Sequence, residues 1–332
     1  MKKNTRIILI GLVIIACGSV YWKIESKMHN KIVLIKDKFT RYCEYKKMHE
    51  PKVDVTKSLP MTDEANAWYT KYHIISHAGG AIDGRTYTNS LEAWNYSYSR
   101  GNRVMDADLA FTPDEKMILL HGWYNNIELQ ANVPMKASNA FMDRNGHVQY
   151  LTTAVTPKDF KMFMHTKIFH LYTPMSCETM LQYMQTHPDL YVATDMKDDV
   201  VKSYSYIVKK AKDLNLDSVL SRIIVNLYDY DMYDKVMKVY PFSNTTMRQY
   251  YAHPNNYSEL VDFCLKHKIH VVNISSCYMD DEGVKLLLQK GIRVYVAVVD
   301  YISDMQYYRK KGCSGCVSNF LYEDIYNLSI PQ

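Results

Sequence analysis

The side chains best suited to chemistry in this chain of 332 residues are two histidines and two aspartates. His77 follows a short apolar run and precedes two glycines, whereas Asp106 and Asp108 stand two residues apart in a second apolar run. His121 ends a third run, which follows the turn-forming sequence Thr-Pro-Asp-Glu. Histidine exchanges protons near neutral pH, and paired carboxylates bind hard divalent cations. The set therefore indicates acid–base catalysis beside a cation site.

These side chains are expected at the ends of β-strands. The apolar runs predict strands at residues 72–76 and 103–109, with residues 117–121 returning beside the second strand. Because side chains alternate between the two faces of a strand, Asp106 and Asp108 should point the same way. The register of the returning segment is not set by the sequence, so the face of its terminal histidine stays open.

Strand and helix patterns alternate through the rest of the chain. Further strands are predicted at residues 191–195, 222–227, 246–250, 270–275, 293–299 and 315–318. Helices are predicted at residues 90–100, 157–164, 177–186, 200–214, 232–239, 256–266, 281–289 and 303–311. Alternation of this kind over about 260 residues predicts an α/β fold, a parallel (β/α)8 TIM barrel. Residues 123–156 lack a clear period and are predicted to form a long insertion in the pocket wall.

The barrel prediction brings a third carboxylate to the same place. Active sites of such barrels lie at the C-terminal ends of the strands, where Asp195 and Lys197 also fall. Three carboxylates at one barrel mouth repel each other unless positive charge is present. A bound divalent cation is the simplest expectation; the alternatives are a protonated carboxylate or a salt bridge to Lys197.

The ordered motifs resemble those of the glycerophosphodiester phosphodiesterases, relatives of the phosphatidylinositol-specific phospholipase C superfamily. The family pattern runs H-R-G, P-E-N-T, E-x-D, T-x-D-G, H-D, E-I-K and G-x-D-G-x-x-T-D. The corresponding segments here are His77-Ala78-Gly79, Tyr87-Thr88-Asn89-Ser90, Asp106-Ala107-Asp108, Thr112-Pro113-Asp114-Glu115, His121-Gly122, Asp195-Met196-Lys197 and Gly312-Cys313-Ser314-Gly315-Cys316-Val317-Ser318-Asn319. The resemblance spans residues 72–321, most of the chain.

The resemblance implies a metal-dependent hydrolase that cleaves a phosphodiester carrying a neighbouring hydroxyl group, with a cyclic phosphate if that hydroxyl attacks first. A Ca²⁺ or Mg²⁺ ion would offset charge on the phosphate, and two histidines would act as general acid and base. The roles implied are metal ligation by Asp106, Asp108 and Asp195, acid–base catalysis by His77 and His121, and substrate binding by Lys197 and Asn89.

Several positions depart from the family pattern. Alanine replaces the arginine of H-R-G, threonine the glutamate of P-E-N-T, glycine the aspartate of H-D and asparagine the last aspartate, at Ala78, Thr88, Gly122 and Asn319. Asp106 and Asp195 stand where the family has glutamate. Because both histidines and all three carboxylates persist, an active enzyme is predicted, with a substrate that can differ from plain glycerophosphodiesters.

Two other functions compete with this prediction. One is a phospholipase C-like enzyme that cleaves lipid diesters or diesters of cell-envelope polymers, which a membrane tether would favour. The other is a catalytically weak barrel that binds a phosphorylated glycan or a protein partner. Variation of the two histidines among close relatives, with an unchanged barrel core, would favour the binding protein.

The N-terminus predicts a membrane tether. Lys2, Lys3 and Arg6 precede an uncharged run of 16 residues, 7–22, which is slightly short for a membrane span of about 20 residues. It fits an uncleaved signal anchor, a lipoprotein signal with Cys17 as the acylated residue, or a cleaved signal peptide. We therefore divide the chain into an anchor or lipoprotein signal (1–22), a basic stalk (23–60) and the barrel (61–332), with the barrel attached to the membrane on its extracytoplasmic side.

Charge and cysteine content exclude two further classes of protein. Residues 1–58 hold 13 Lys and Arg against 5 Asp and Glu, so the net charge of +5 comes from the N-terminal segment and the barrel is slightly acidic. A barrel without a basic surface argues against a nucleic-acid partner. Seven scattered cysteines do not form a disulfide framework, and the pair Cys313 and Cys316 lacks a second pair at zinc spacing.

Overall fold

A computed structural model of the chain describes residues 60–121, 140–142, 148–150, 160–165, 167–168, 171–249 and 257–329. The predicted anchor, all of the predicted stalk except its last residue, and most of the predicted insertion (123–156) lie outside these ranges. No helix among the described residues is long and apolar enough to cross a membrane. The described residues fall into two compact units, a pair of short strands (140–142 and 148–150) and the barrel.

The strands, in chain order, are β1 (Ile74–Ser76), β2 (Val104–Phe111), β3 (Met117–Leu119), β4 (Ala140–Met142), β5 (Val148–Tyr150), β6 (Tyr191–Met196), β7 (Ile223–Leu227), β8 (Asn244–Gln249), β9 (Val271–Ser275), β10 (Arg293–Ala297) and β11 (Gly315–Ser318). β4 and β5 form a separate two-stranded antiparallel sheet. The remaining strands other than β3 pair in parallel in the order β1-β11-β10-β9-β8-β7-β6-β2, and β1 also pairs with β2. This last pairing closes an eight-stranded parallel barrel and confirms the predicted (β/α)8 fold.

The helices are α1 (Trp68–Lys71), α2 (Leu91–Ser99), α3 (Phe160–His165), α4 (Cys177–Thr186), α5 (Val200–Asp213), α6 (Asp231–Val239), α7 (Tyr257–His267), α8 (Asp281–Gln289), α9 (Ile302–Lys310) and α10 (Glu323–Ser329). The predicted helices and strands are present, with ends shifted by a few residues. For example, the strand predicted at 246–250 is Asn244–Gln249, and the helix predicted at 157–164 is Phe160–His165.

Alternation along the strands separates two apolar layers. Ile74, Met105 and Leu109 face outward and pack with the helices in one large core. Ile75 and Val104 face inward and, with residues of the other strands, form a second cluster inside the barrel that Trp68 of α1 joins. The interior is therefore a packed core rather than a channel, as expected for eight strands.

The loop after β1, which contains Gly79, packs closely against α2. The side chain of Ser90 accepts a hydrogen bond from the backbone N–H of Ala93, so Ser90 caps α2. Gly79 follows β1 with φ +83°, and a Cβ atom there would lie 2.4 Å from Cδ1 of the buried Trp94. The glycine thus meets two requirements at once, a left-handed backbone and contact with an indole ring.

We expect Gly79→Ala to destabilise the barrel more than Gly84→Ala. Gly84 has φ +73°, and a Cβ atom added there would meet nothing within 4 Å, so its substitution costs only the backbone strain, about 1–2 kcal/mol. Gly79→Ala adds a steric clash worth a further ~1–3 kcal/mol. Equal midpoints of thermal unfolding for the two variants would contradict the packing argument.

Candidate active site

Three carboxylates converge inside the mouth of the barrel. Asp106 and Asp108 lie on the inner face of β2, and in the pairing with β6 Asp108 stands opposite Asp195. All three are buried, with exposed fractions of 1%, 0% and 8%. The same-face prediction from their spacing is confirmed, and Asp195 joins them because β6 is the parallel neighbour of β2.

Two cations alternate with these carboxylates in an ion-pair row, defined as Asp108, Lys197, Asp195, Arg248 and Asp106. Lys197 Nζ lies 2.8 Å from Asp108 Oδ1 and 2.9 Å from Asp195 Oδ2. Arg248 Nη1 lies 2.9 Å from the same Asp195 oxygen, and its Nη2 lies 2.9 Å from Asp106 Oδ2. Each carboxylate in the row therefore has a cationic partner, and the salt bridge to Lys197 weighed from the sequence is present.

Burial and ion pairing act in opposite directions on the pKa values of the row. For Asp195, burial alone would raise the pKa, but Arg248 and Lys197 outweigh it and hold the pKa below its usual value. The pKa of Asp106 is raised, because burial and the neighbouring aspartates together exceed the effect of Arg248. The pKa of Lys197 is raised despite burial, since Asp108 and Asp195 stabilise its charged form. The row thus favours charge on Asp195 and Lys197 and disfavours it on Asp106.

The carboxylates do not fit a resident divalent cation in this arrangement. Among the described residues, no group of three or more His, Cys, Asp or Glu side chains is arranged to hold a metal ion. Asp195 and Asp106 share the Arg248 guanidinium, and Asp195 and Asp108 share the Lys197 ammonium. A divalent cation would have to displace both protein cations from these carboxylates. The Ca²⁺ or Mg²⁺ expected from the family resemblance stays a prediction.

Asn89 supports the row rather than facing solvent. Its side-chain Nδ2 donates to Asp108 Oδ2 over 2.9 Å, and its Oδ1 accepts from the backbone N–H of Asp108 over 3.2 Å. Its backbone N–H donates to the carbonyl oxygen of Ala78. Asn89 therefore ties the loop after β1 to β2, and its predicted contact with substrate stays a prediction.

His77 is oriented by a chain of hydrogen bonds across the last strands. His77 Nδ1 lies 3.1 Å from Asn319 Oδ1, and Asn319 Nδ2 donates to Asp300 Oδ2 over 2.9 Å. The backbone N–H of Asn319 also donates to Asp300. Because a carboxylate only accepts, the amide of Asn319 must present its oxygen to the histidine. His77 therefore carries its proton on Nδ1 and leaves Nε2 for the reaction.

His121 lies near the row, at the end of the β3 segment. It follows β3, which pairs in antiparallel fashion with β2, and the backbone N–H of Leu120 donates to the carbonyl oxygen of Asp108. The pKa of His121 is lowered because burial disfavours the imidazolium, an effect that Asp108 partly offsets. In the part of the chain that the structure describes, its Nδ1 is buried without a hydrogen-bond partner.

Tyr87 joins the two histidines. Its ring centroid lies 4.6 Å from that of His77 and 4.9 Å from that of His121, edge to face in both cases. Tyr87 has φ 60°, and Ala78 and Asn89 have φ 49° and 47°. Non-glycine residues with positive φ are strained, and such strain concentrates where a loop must aim functional groups. One aromatic ring of this loop therefore contacts both histidines.

Four residues of the site had no role predicted from the sequence: Arg248, Asp300, Tyr87 and Tyr228. The hydroxyl of Tyr228 donates to Asp195 Oδ1, which further fixes that carboxylate. Arg248 had a usable signal, since an arginine in an otherwise uncharged strand of a buried barrel must find a carboxylate. Asp300 and the two tyrosines lie in loops or at strand ends and carry no comparable pattern.

The lowered pKa of Asp195 predicts an acid-dependent contribution to stability. A group whose folded pKa lies below its unfolded value, about 3.9 for aspartate, contributes stability above that pH. The contribution is lost as the pH falls further, because the unfolded chain binds the proton first. We expect the difference in unfolding free energy between the wild type and Asp195→Asn to be constant from pH 7 to 5. It should narrow below about pH 4, and a difference that does not change with pH would contradict the ion-pair assignment.

The hydrogen-bond chain predicts the tautomer of His77. In ¹⁵N NMR spectra, the neutral wild-type side chain should be protonated at Nδ1. Asp300→Asn replaces an obligatory acceptor by an amide, which allows Asn319 to turn over, so the Nε2-protonated form should rise. His187, whose Nδ1 lies 2.8 Å from the carbonyl oxygen of Tyr183 away from this chain, serves as the internal control. An unchanged tautomer in Asp300→Asn would show that Asp300 does not set it.

Comparison with known proteins gives no match in sequence. No protein-family model matches the chain, and no curated protein is detectably similar to it. Solved structures, by contrast, match over most of the barrel. A candidate glycerophosphodiester phosphodiesterase from Galdieria sulphuraria is 14% identical with a TM-score of 0.58, covering 78% of this chain and 98% of its own.

Two further structures extend the comparison. A glycerophosphoryl diester phosphodiesterase from Parabacteroides distasonis is 11% identical with a TM-score of 0.56, covering 78% of this chain and 88% of its own. A phosphodiesterase from Oleispira antarctica, solved with the product sn-glycerol-3-phosphate, is 10% identical with a TM-score of 0.57, covering 78% and 96%. At such identities the likeness concerns the fold, and the chain has the barrel fold of these phosphodiesterases.

Proposed function

We propose that this chain hydrolyses phosphodiesters in which a hydroxyl group neighbours the phosphate, as the resemblance to glycerophosphodiester phosphodiesterases implies. The observation that carries the proposal is the pair of histidines that both contact the Tyr87 ring, beside the ion-pair row. Support also comes from the Oleispira antarctica phosphodiesterase of the same fold, whose structure contains sn-glycerol-3-phosphate.

The first half-reaction is assigned from the environments of the two histidines. His121 has a lowered pKa, so it is neutral near pH 7 and serves as the base that takes the proton of the neighbouring hydroxyl. The hydroxyl oxygen bonds to phosphorus and forms a cyclic phosphate. The bond from phosphorus to the leaving oxygen breaks. That oxygen takes the Nε2 proton of His77, which enters this step as the imidazolium and leaves it neutral, with its Nδ1–H kept on Asn319.

The second half-reaction reverses the two roles. Neutral His77 accepts a proton from water, the water oxygen bonds to phosphorus, and the cyclic ester bond breaks. His121 then returns its proton to the hydroxyl group that is released. One water is consumed, the products are an alcohol and a phosphate monoester, and both histidines end as they began. Lys197, whose side chain is 16% exposed, is the cation of the row best placed to contact a phosphate oxygen.

The predicted N-terminal tether bears on the choice of substrate. A barrel held at an extracytoplasmic membrane surface would meet lipid and cell-envelope diesters, so these are the substrates to test beside glycerophosphodiesters. The tether itself and the location stay predictions. The divalent cation that the family resemblance implies is likewise still a prediction, and no step above depends on it.

We expect His77→Ala and His121→Ala each to lower turnover by about 10²–10⁴-fold, because each removes a positioned proton carrier. The assay would use the full-length chain in detergent, with glycerophosphodiesters, phospholipids and bis-p-nitrophenyl phosphate. His165→Ala, which removes an exposed histidine from α3, is the matched control and should retain wild-type turnover.

Two outcomes would count against the proposal. Full activity of the His77→Ala, His121→Ala double variant would exclude the acid–base roles. No hydrolysis by the wild type on any of these diesters, with and without added Ca²⁺ or Mg²⁺, would favour the catalytically weak binding barrel instead.

A further inference from the structure

Arg248 occupies the centre of the carboxylate group. It lies on the inner face of β8, its side chain is 2% exposed, and its guanidinium spans the gap between Asp106 on β2 and Asp195 on β6. A guanidinium is planar and always charged, and its fork of donors matches carboxylate oxygens on two sides. Arg248 thus stands among the carboxylates, where an ion that they shared would have to lie.

The charges of the row leave little attraction for a further cation. Three aspartates face two protein cations, so the row carries at most one net negative charge. A divalent ion entering the row would have to break both contacts of Arg248 and both of Lys197. It would also leave the guanidinium, which is nearly fully buried, without its carboxylate partners, and an unpaired buried charge is strongly unfavourable.

We propose that Lys197 and Arg248 replace the divalent cation in this chain, so that the site binds and cleaves phosphodiesters without metal. Lys197, the more exposed of the two, contacts the phosphate. Arg248 is a positioning residue that holds Asp106 and Asp195 in place of the ion. The catalytic part rests on the proposed function; the prediction that the wild type does not bind the ion does not.

The test is calorimetric titration of Ca²⁺ and of Mg²⁺ into the full-length chain in detergent, after dialysis against EDTA. The wild type should show no saturable binding up to millimolar ion. Arg248→Met keeps most of the side-chain volume and removes the charge, so three carboxylates should face Lys197 alone. This variant should bind one divalent ion at least tenfold more tightly than the wild type.

Two variants serve as matched controls. Arg293→Met removes an arginine that pairs with the remote Asp63, Nη2 to Oδ2 2.6 Å, and should behave as the wild type in the titration. Arg248→Lys restores one positive charge at the same position and should again suppress ion binding. If Arg248 had only a structural role, Arg248→Lys would not bind metal more weakly than Arg248→Met does.

Hydrolysis gives an independent measurement. Wild-type turnover should be unchanged by EDTA, whereas any turnover of Arg248→Met should fall when EDTA is added. Saturable binding of Ca²⁺ or Mg²⁺ by the wild type at any concentration up to millimolar ion, or loss of its activity in EDTA, would overturn the inference. Should Arg248→Met fail to fold, as judged by circular dichroism, the wild-type titration still decides.

The outcomes separate this inference from the proposed function. A wild type that binds no ion and hydrolyses no diester would support the replacement of the divalent ion by Lys197 and Arg248, and it would refute the proposed hydrolase activity. A wild type that hydrolyses diesters only with added ion would sustain the hydrolase and refute the replacement.

Discussion

The site depends on five charged side chains buried inside the barrel mouth with alternating sign. Each charge would be very costly to bury alone, and each is tolerated because it contacts charges of opposite sign. The row runs from Asp108 through Lys197, Asp195 and Arg248 to Asp106, so it links β2, β6 and β8 across the barrel interior. The ion pairs that hold these three strands together also hold Lys197 and Arg248, which supply the positive charge of the site.

The histidines are carried on loops above this rigid row. Such a division is common, because a packed barrel holds the scaffold while loops at the strand ends aim the reactive groups. The loop after β1 combines three non-glycine residues of positive φ with the hydrogen bonds of Asn89 to Ala78 and Asp108. These contacts hold the strained loop conformation, in which Tyr87 contacts both His77 and His121.

The departures from the family motifs have partial replacements in the structure. Where the pattern has a final aspartate, Asn319 contacts His77. The carboxylate is the next member of the hydrogen-bond chain, Asp300, which accepts from the Asn319 amide. The imidazole is therefore still held in one orientation, but the negative charge lies on Asp300 and not on the residue that contacts His77. Among the described residues, no carboxylate bonds to His121 Nδ1, in keeping with Gly122 at the position of the pattern's other aspartate.

The sequence by itself determined the barrel, the same-face pair Asp106 and Asp108, and the strand-end positions of His77, Asp195 and Lys197. These follow from local periodicity, because alternation along a strand and placement at its end are properties of short segments. Only the tertiary structure decided how the three carboxylates are neutralised. Arg248 is more than 50 residues beyond Asp195 and reaches it through the closure of the barrel. Contacts between side chains on distant strands depend on register and curvature, and a sequence pattern does not specify these.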